Sequence, residues 1–339
     1  MEIRKLGTTE LHVSRVAIGG LYTSSLAGGV AETSRMLETA HELGINYSDT
    51  APAYADSEVI LGEALQGTDK TFIVSTKFGR PDPFDPLDMK SLRASFDESL
   101  RVLGRESIDL MMIHEPDRPQ QYPWFTNYDP LEGPVIDFLD ELKAEGKIKA
   151  TGIAGTTVQE MTHLVASGRF DVLLTAFNYN ILFRESLAEL IPLAKQQGMG
   201  IISGSAYAQA SLSKQYREEV EARPNWLSKP RQQQLLTLYD FVDELDIELP
   251  ELCLRFVLSQ PLIDTVLVGA KSSDHLRLSA TYEASGPLPQ EIINRLDEIA
   301  AMMPYRPYEE PMIMPLGKNY YGPGIANMGS AIQVGKLKK

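Results

Sequence analysis

Cysteine is almost absent from this chain of 339 residues. The single one, Cys253, excludes any intrachain disulfide, and its apolar run Leu252-Cys253-Leu254-Arg255-Phe256 reads as a helix flank carrying an inert core thiol. Histidine is scarce too, at five, and no cluster of His, Cys, Asp and Glu has metal-ligand spacing, so no metal is expected. Positive charge is short. With 32 Lys and Arg against 46 Asp and Glu the formal net charge is -14, which weighs against a nucleic-acid partner, whose phosphates need cations. No segment approaches the roughly 20 apolar residues that span a bilayer. The opening Met1 to Leu6 lacks the apolar stretch of a secretory signal. No membrane contact and a cytoplasmic location are therefore expected.

What is present is an average globular composition, 43% hydrophobic and 23% charged, on a chain long enough to bury a full core. Apolar β-rich runs alternate with amphipathic stretches. Strands are predicted at 16–20, 45–49, 72–77, 108–114, 148–154, 172–178, 200–205 and 265–269, several of them continuously apolar, as buried parallel strands are. Helices are predicted at 32–43, 57–65, 87–103, 134–145, 158–167, 186–197, 231–245 and 274–283, with Gly44, Gly146 and Gly198 closing three of them. About eight such units predict an α/β fold of the (β/α)8 TIM-barrel type over 1–302. Long segments at 115–133 and 208–230 break the repeat and read as substrate or binding loops. A tail at 303–339, rich in Gly, Pro, Tyr and Met, has Tyr305, Tyr308, Tyr320 and Tyr321 to fold over the active-site mouth, with disorder or partner contact as alternatives.

In such a barrel, reactive groups project where strands stop. Asp49, Lys77 and His114 close three consecutive runs, and Tyr54 follows Asp49 by five residues. Singly, each has a bland reading as a cap, a solvated cation or a satisfied buried ring. Together they suit the interconversion of carbonyl and alcohol. A phenol, with a reference pKa near 10, can protonate a forming alkoxide if a cation eases loss of its proton. Lys77 supplies the cation, Asp49 fixes it, and His114 polarises the carbonyl oxygen.

The stretches Arg4-Lys5-Leu6-Gly7-Thr8-Thr9-Glu10-Leu11-His12-Val13-Ser14, Asp49-Thr50-Ala51-Pro52-Ala53-Tyr54, Ser75-Thr76-Lys77-Phe78-Gly79 and Ile108-Asp109-Leu110-Met111-Met112-Ile113-His114 resemble those of the aldo-keto reductases, over nearly the whole chain. The resemblance implies an N-terminal β-hairpin closing the barrel bottom and Asp49, Tyr54, Lys77 and His114 as the catalytic set. It also implies a nicotinamide cofactor, NADP or NAD, lying extended over the strand ends, so that the absence of a Gly-x-Gly-x-x-Gly loop carries no weight.

The cofactor residues so implied are Gly20, Asp49 and Asn178, then Ser203, Gly204, Ser205, Ala206 and Gln209 along the loop after strand seven, and Gly269, Ala270, Lys271 and His275 at the adenosine end. Lys271 leans the coenzyme toward NADP. At the nicotinamide end Ala154, Gly155, Ala176 and Gly204 depart from the common pattern and resemble the branch of L-galactose and related aldose dehydrogenases. Substrate would enter above Tyr54 and His114, walled by Tyr22, Phe78, Trp124 and Tyr207, with Tyr128 also a candidate, and flat aromatic faces suit a sugar or polyol. The alternative is a cofactor-binding regulatory subunit resembling potassium-channel β-subunits, with little turnover. A Schiff-base role for Lys77 is a third, opposed by the carboxylate beside it. A homo-oligomer is compatible with all three.

Overall fold

The computed structural model describes residues 1–79, 83–306, 310–311 and 313–318. Eight parallel strands close on themselves: β1 (Val16–Gly19), β2 (Tyr47–Asp49), β3 (Ile73–Lys77), β4 (Ile108–His114), β5 (Ile148–Gly155), β6 (Val172–Ala176), β7 (Gly200–Gly204) and β8 (Thr265–Val268), with β8 paired back to β1. Around them lie α1 (Gly29–Glu42), α2 (Ser57–Gln66), α3 (Met89–Leu103), α4 (Pro134–Ala144), α5 (Val158–Ala166), α6 (Glu185–Ala188), α7 (Leu190–Gln196), α8 (Arg217–Ala222), α9 (Lys229–Leu245), α10 (Leu249–Leu258), α11 (Ser273–Ala284) and α12 (Gln290–Ala301). The predicted (β/α)8 barrel is the observed fold.

Alternation along each strand divides the core into two layers. On β4, Leu110 and Met112 fill the barrel interior with Tyr47, Ala150, Val172, Leu174 and Ile202. The alternate residues Met111 and Ile113 face the helices. The hairpin of Ile3–Lys5 and His12–Ser14 closes the lower end, its Leu6, Leu11 and Val13 joining the interior cluster. Gly200 is glycine for a spatial reason, since a Cβ there would come within 2.5 Å of Leu6 Cγ.

Every second strand enters the barrel through a side-chain amide or carboxylate that accepts a main-chain N–H from the strand before it or, for β2, from the end of the hairpin that leads into β1. Asn46 accepts from Ser14 (2.8 Å), Asp109 from Val74 (2.9 Å), Asp171 from Thr151 (2.8 Å) and Asp264 from Ile201 (2.7 Å). The three aspartates each also hold a lysine, Lys149, Lys143 and Lys195, at 2.7, 2.7 and 2.6 Å. Donors at the bottom of the barrel are thus satisfied where water reaches them poorly.

The helix predicted at 186–197 is two pieces, α6 and α7. Pro192 has no N–H for the carbonyl of Ala188, and its ring clashes with that carbonyl, so the chain breaks at Glu189. The run around Cys253 is a full helix, α10, with Cys253 buried. Two further helices lie outside the predicted set: α8 inside 208–230, and α12, which buries Leu296, Ile299 and Ala300 at helical spacing. Strand β6 stops at Ala176 rather than Asn178, because Phe177 takes a left-handed φ of 70°. The 115–133 loop carries a small antiparallel pair, Asn127–Tyr128 with Leu131–Glu132.

Replacing Asp264 by Ala removes a charged acceptor from Ile201 N–H and Lys195 together. The expected cost is about 2–4 kcal/mol in denaturant unfolding, with coenzyme affinity unchanged because the substitution lies at the closed end. Unaltered stability would show that the alternate-strand acceptors are incidental.

Candidate active site

The two-residue period that packs the interior also decides what stands at its open end. Following the inward files upward, β2 leads from Tyr47 to Asp49, β3 through Ser75 to Lys77, and β4 through Leu110 and Met112 to His114. On the other side, the files of β1, β5, β6 and β7 end at Gly19, Ala154, Ala176 and Gly204, all lining one cavity. Part of the barrel mouth is therefore polar, and part is nearly bare.

Lys77 is fully buried, and its ammonium donates to Asp49 Oδ1 at 2.9 Å, Asp49 Oδ2 at 2.8 Å and Thr50 O at 2.7 Å. Ser75 Oγ donates to Asp49 Oδ1 at 2.6 Å, so Tyr47, 2.7 Å from Ser75 Oγ, is the donor in that contact. The carboxylate is thereby held from two sides. Burial alone would lower the Lys77 pKa, but Asp49 and Tyr54 outweigh it and raise the value, which keeps the amine charged.

Tyr54 is brought over this pair by the turn after β2. Its N–H donates to Ala51 O at 3.0 Å, and its own carbonyl accepts from Ser57 N at 3.0 Å. Ser57 Oγ in turn donates to Gly20 O at 2.7 Å, tying the turn to the top of β1. Gly20 must be small, since a Cβ would stand 2.1 Å from Asp49 O. The Lys77 ammonium lies 4.7 Å from the Tyr54 ring centroid, and the His114 ring meets Tyr54 edge-on at 5.6 Å. Burial raises the phenol pKa, and the Lys77 charge pulls it partway back. Burial, with the cations Lys77 and Arg118 adding to it, holds His114 well below the ordinary histidine range, so its imidazole is neutral and able to donate one hydrogen bond.

Asp49, Tyr54 and His114 line one end of a cavity of about 530 Å³, with Lys77 fully buried behind them. Of the expected residues, Gly20, Tyr22, Asp49, Tyr54, His114, Gly204, Ser205, Ala206, Tyr207, Gln209, Gly269, Ala270, Lys271 and His275 line it together. Others are elsewhere. Phe78 is buried against Phe138, and Trp124 is buried among Phe84 and Tyr122, so both belong to the packing behind the mouth rather than to the described cavity wall. Asn178 is buried and spends its amide on Thr156 O at 2.9 Å, while Ser203 is fully buried behind β7. Tyr207 is in the cavity but at its far end, where its phenol bonds Ser279 of α11. Tyr128 packs on Phe125 in the small hairpin, 41% exposed.

Among the lining residues that escaped the sequence reading, three are charged: Glu115, Glu248 and Lys318. Glu115 follows His114 directly and could have been found from that adjacency. Its carboxyl pKa is raised, chiefly by burial, with Arg118 opposing. Glu248 precedes α10 and accepts from Tyr282 Oη at 3.0 Å. Lys318 comes from the tail, where no periodic pattern marks it. Tyr305 is 83% exposed, and Tyr308, Tyr320 and Tyr321 lie outside the described residues.

A nicotinamide dinucleotide fits this cavity. The bare floor of Gly19, Ala154, Ala176 and Gly204 leaves room for a flat ring beside Tyr54, and the far end carries the ammonium groups of Lys271 and Lys318. Behind this floor, a side chain at Gly155 would meet Met161 Sδ at 2.3 Å and Asp117 Oδ1 at 2.7 Å. Among the described residues, no group of three or more His, Cys, Asp or Glu is placed to hold a metal ion, and no helix is long and apolar enough to cross a membrane.

Residues 20–301 match the model of the aldo/keto reductase family. The chain is 30% identical to L-galactose dehydrogenase of Arabidopsis thaliana over 313 residues, covering 88% of this chain and 94% of that protein. It is 29% identical to D-threo-aldose 1-dehydrogenase of a Pseudomonas species, over 75% of this chain and 83% of the other. The holo form of an aldo-keto reductase from Bacillus halodurans superposes with a TM-score of 0.70 at 26% identity, covering 91% of this chain and all of that one, 100%. Barrel, buried ion pair and sequence relatives agree: this chain is an oxidoreductase of the aldo/keto reductase family.

Proposed function

We propose that the chain interconverts a carbonyl and an alcohol by hydride transfer on a sugar or other polyol, with Asp49, Tyr54, Lys77 and His114 as its catalytic set. The observation that carries this is the pairing, at one cavity end, of a phenol above a buried, anchored ammonium with a neutral imidazole beside it. The bound nicotinamide supplies or accepts the hydride. The protein's part is to hold and move a proton. In reduction, His114 donates a hydrogen bond to the substrate oxygen, Tyr54 Oη gives that oxygen its proton as carbon accepts hydride, and Lys77 stabilises the phenolate left behind. Oxidation reverses each step, with the phenolate as base.

A polyhydroxy substrate is supported by the lining beside His114. Glu115 and Thr156 line the cavity there, both in contact with Arg118, and supply polar atoms for substrate hydroxyls. The relatives named for L-galactose and D-threo-aldose dehydrogenation point the same way. For the coenzyme, NADP stands first because the Lys271 ammonium lies free of any ion pair among the described residues, over the Tyr22 ring at 4.8 Å. Glu32 opposes this, since its carboxylate accepts from Ser273 N at 3.2 Å at the start of α11 and would repel a 2′-phosphate.

With aldoses, polyols and aldehydes as a panel, Tyr54→Phe is expected to lower kcat by about 100-fold to 10,000-fold while coenzyme still quenches the protein's fluorescence. Undiminished turnover in that variant would remove Tyr54 from its role. Tight coenzyme binding by the unaltered protein, without turnover of any member of the panel, would instead favour the regulatory-subunit reading.

The oxidation rate should rise with pH, because the phenol must lose its proton and burial holds its pKa above the ordinary value. Lys77→Met removes the charge that offsets burial and leaves Asp49 to repel the phenolate, so the rising limb moves to higher pH. A double variant with Asp49→Asn avoids the uncompensated buried carboxylate and serves as the folding control. A limb that stays in place or moves down would contradict the assignment of Lys77.

A further inference from the structure

The loop after β7 is held in a conformation that its sequence does not favour. Ala208, Gln209 and Ala210 have φ of 44°, 52° and 73°, three consecutive left-handed residues with no glycine among them, and Ser205 before them is at 64°. Each non-glycine residue in that region costs on the order of 1 kcal/mol and persists only where its surroundings fix it. Much of the fixing comes from the C-terminal tail. Ser211 Oγ donates to Met314 O, Lys318 Nζ donates to Gln209 O at 2.8 Å, and Gly317 N donates to Glu219 Oε2 of α8 at 2.8 Å.

The tail is itself anchored in the core. Arg231 of α9, fully buried, forms a two-pronged pair with Glu310 at 2.6 and 2.7 Å and also donates to Gln234 Oε1. Gln234 in turn donates to Ile299 O at 2.8 Å at the end of α12. Beyond this anchor Ile313, Met314 and Leu316 are buried, and the chain reaches the cavity rim at Lys318.

Two ammonium groups then share one cavity end. Lys318 donates one described hydrogen bond out of three available, and neither it nor Lys271 has a carboxylate partner among the described residues, in a chain of net charge -14. Burial lowers the Lys318 pKa, and the charge of Lys271 adds to the lowering, so an anion between them would relieve both.

We infer that the anchored tail is part of the coenzyme site: it holds the left-handed loop at 208–210 and presents Lys318 opposite Lys271 as a joint clamp for a phosphate of the dinucleotide. This rests on the nicotinamide-dinucleotide reading and adds to it a tail residue as phosphate ligand. The phosphate is either of the central pyrophosphate or that of a 2′-phosphorylated adenosine, and both present anionic phosphoryl oxygens to the two lysines.

The test is equilibrium binding rather than turnover, by calorimetry with NADH, NADPH, ADP, 2′-AMP and adenosine. Lys318→Met is expected to weaken phosphate-bearing ligands about tenfold, to leave adenosine unchanged, and to flatten the salt dependence of binding. Loss on ADP and both coenzymes assigns the pyrophosphate; loss on NADPH and 2′-AMP alone assigns the 2′-phosphate. Either supports the clamp. The double variant Arg231→Met/Glu310→Met frees the tail without stranding a buried charge and should produce the same loss as Lys318→Met. Unchanged affinities in Lys318→Met, with tight binding by the unaltered protein, overturn the clamp and leave the cofactor reading standing. Failure of the unaltered protein to bind either coenzyme overturns both.

Discussion

The site is organised by the ion pair between Asp49 and Lys77, buried at the top of adjacent strands. Placing two charges out of water costs several kcal/mol each, and their attraction repays it only when the remaining hydrogen-bonding capacity is filled. Here it is filled by Ser75, by Thr50 O and, at one remove, by Tyr47. The ammonium that results has a fixed position and a raised pKa, and the phenol of Tyr54 is tuned against it. Without the anchored cation, burial would leave Tyr54 an ordinary buried phenol, too reluctant to part with its proton.

The same alternation that buries this pair clears the ground beside it. Side chains enter the barrel from every second position, so each file offers one residue at the mouth. Charged or polar tops on β2 to β4 and glycine or alanine tops on β1, β5, β6 and β7 divide the mouth into a polar part and an open part, with Leu267 of β8 beside them. At β5 the inward residue is Ala154, while Met161 and Asp117 fill the space behind Gly155. Reactive groups and empty space are two outcomes of one packing rule.

That rule explains what could be read before any coordinates. Asp49, Lys77 and His114 were legible because strand ends are visible as the stops of apolar runs, and the barrel was legible because those runs alternate with amphipathic ones. Pro192, which lacks the donor that a continuous helix needs, is the mark in the sequence that divides α6 from α7. Aromatic walls were less legible: Phe78 and Trp124 carry no sequence mark that separates core packing from a cavity face, and Tyr207 turns to Ser279 because of where α11 lies. Lys318 was invisible for a different reason. Its position depends on the Arg231 and Glu310 pair, a contact across 79 residues that no local pattern encodes.

A chain of net charge -14 that binds an anionic dinucleotide looks contradictory until screening is considered. At physiological ionic strength charges beyond about 8 Å are largely screened, so a phosphate in the cavity responds to its immediate neighbours and little to the acidic exterior. Two ammonium groups at the rim therefore matter more than the forty-six carboxylates in the whole chain. Lys90, Lys147, Lys214 and Lys229 also lack a carboxylate partner among the described residues, but of these lysines Lys271 and Lys318 are the two that line the cavity together.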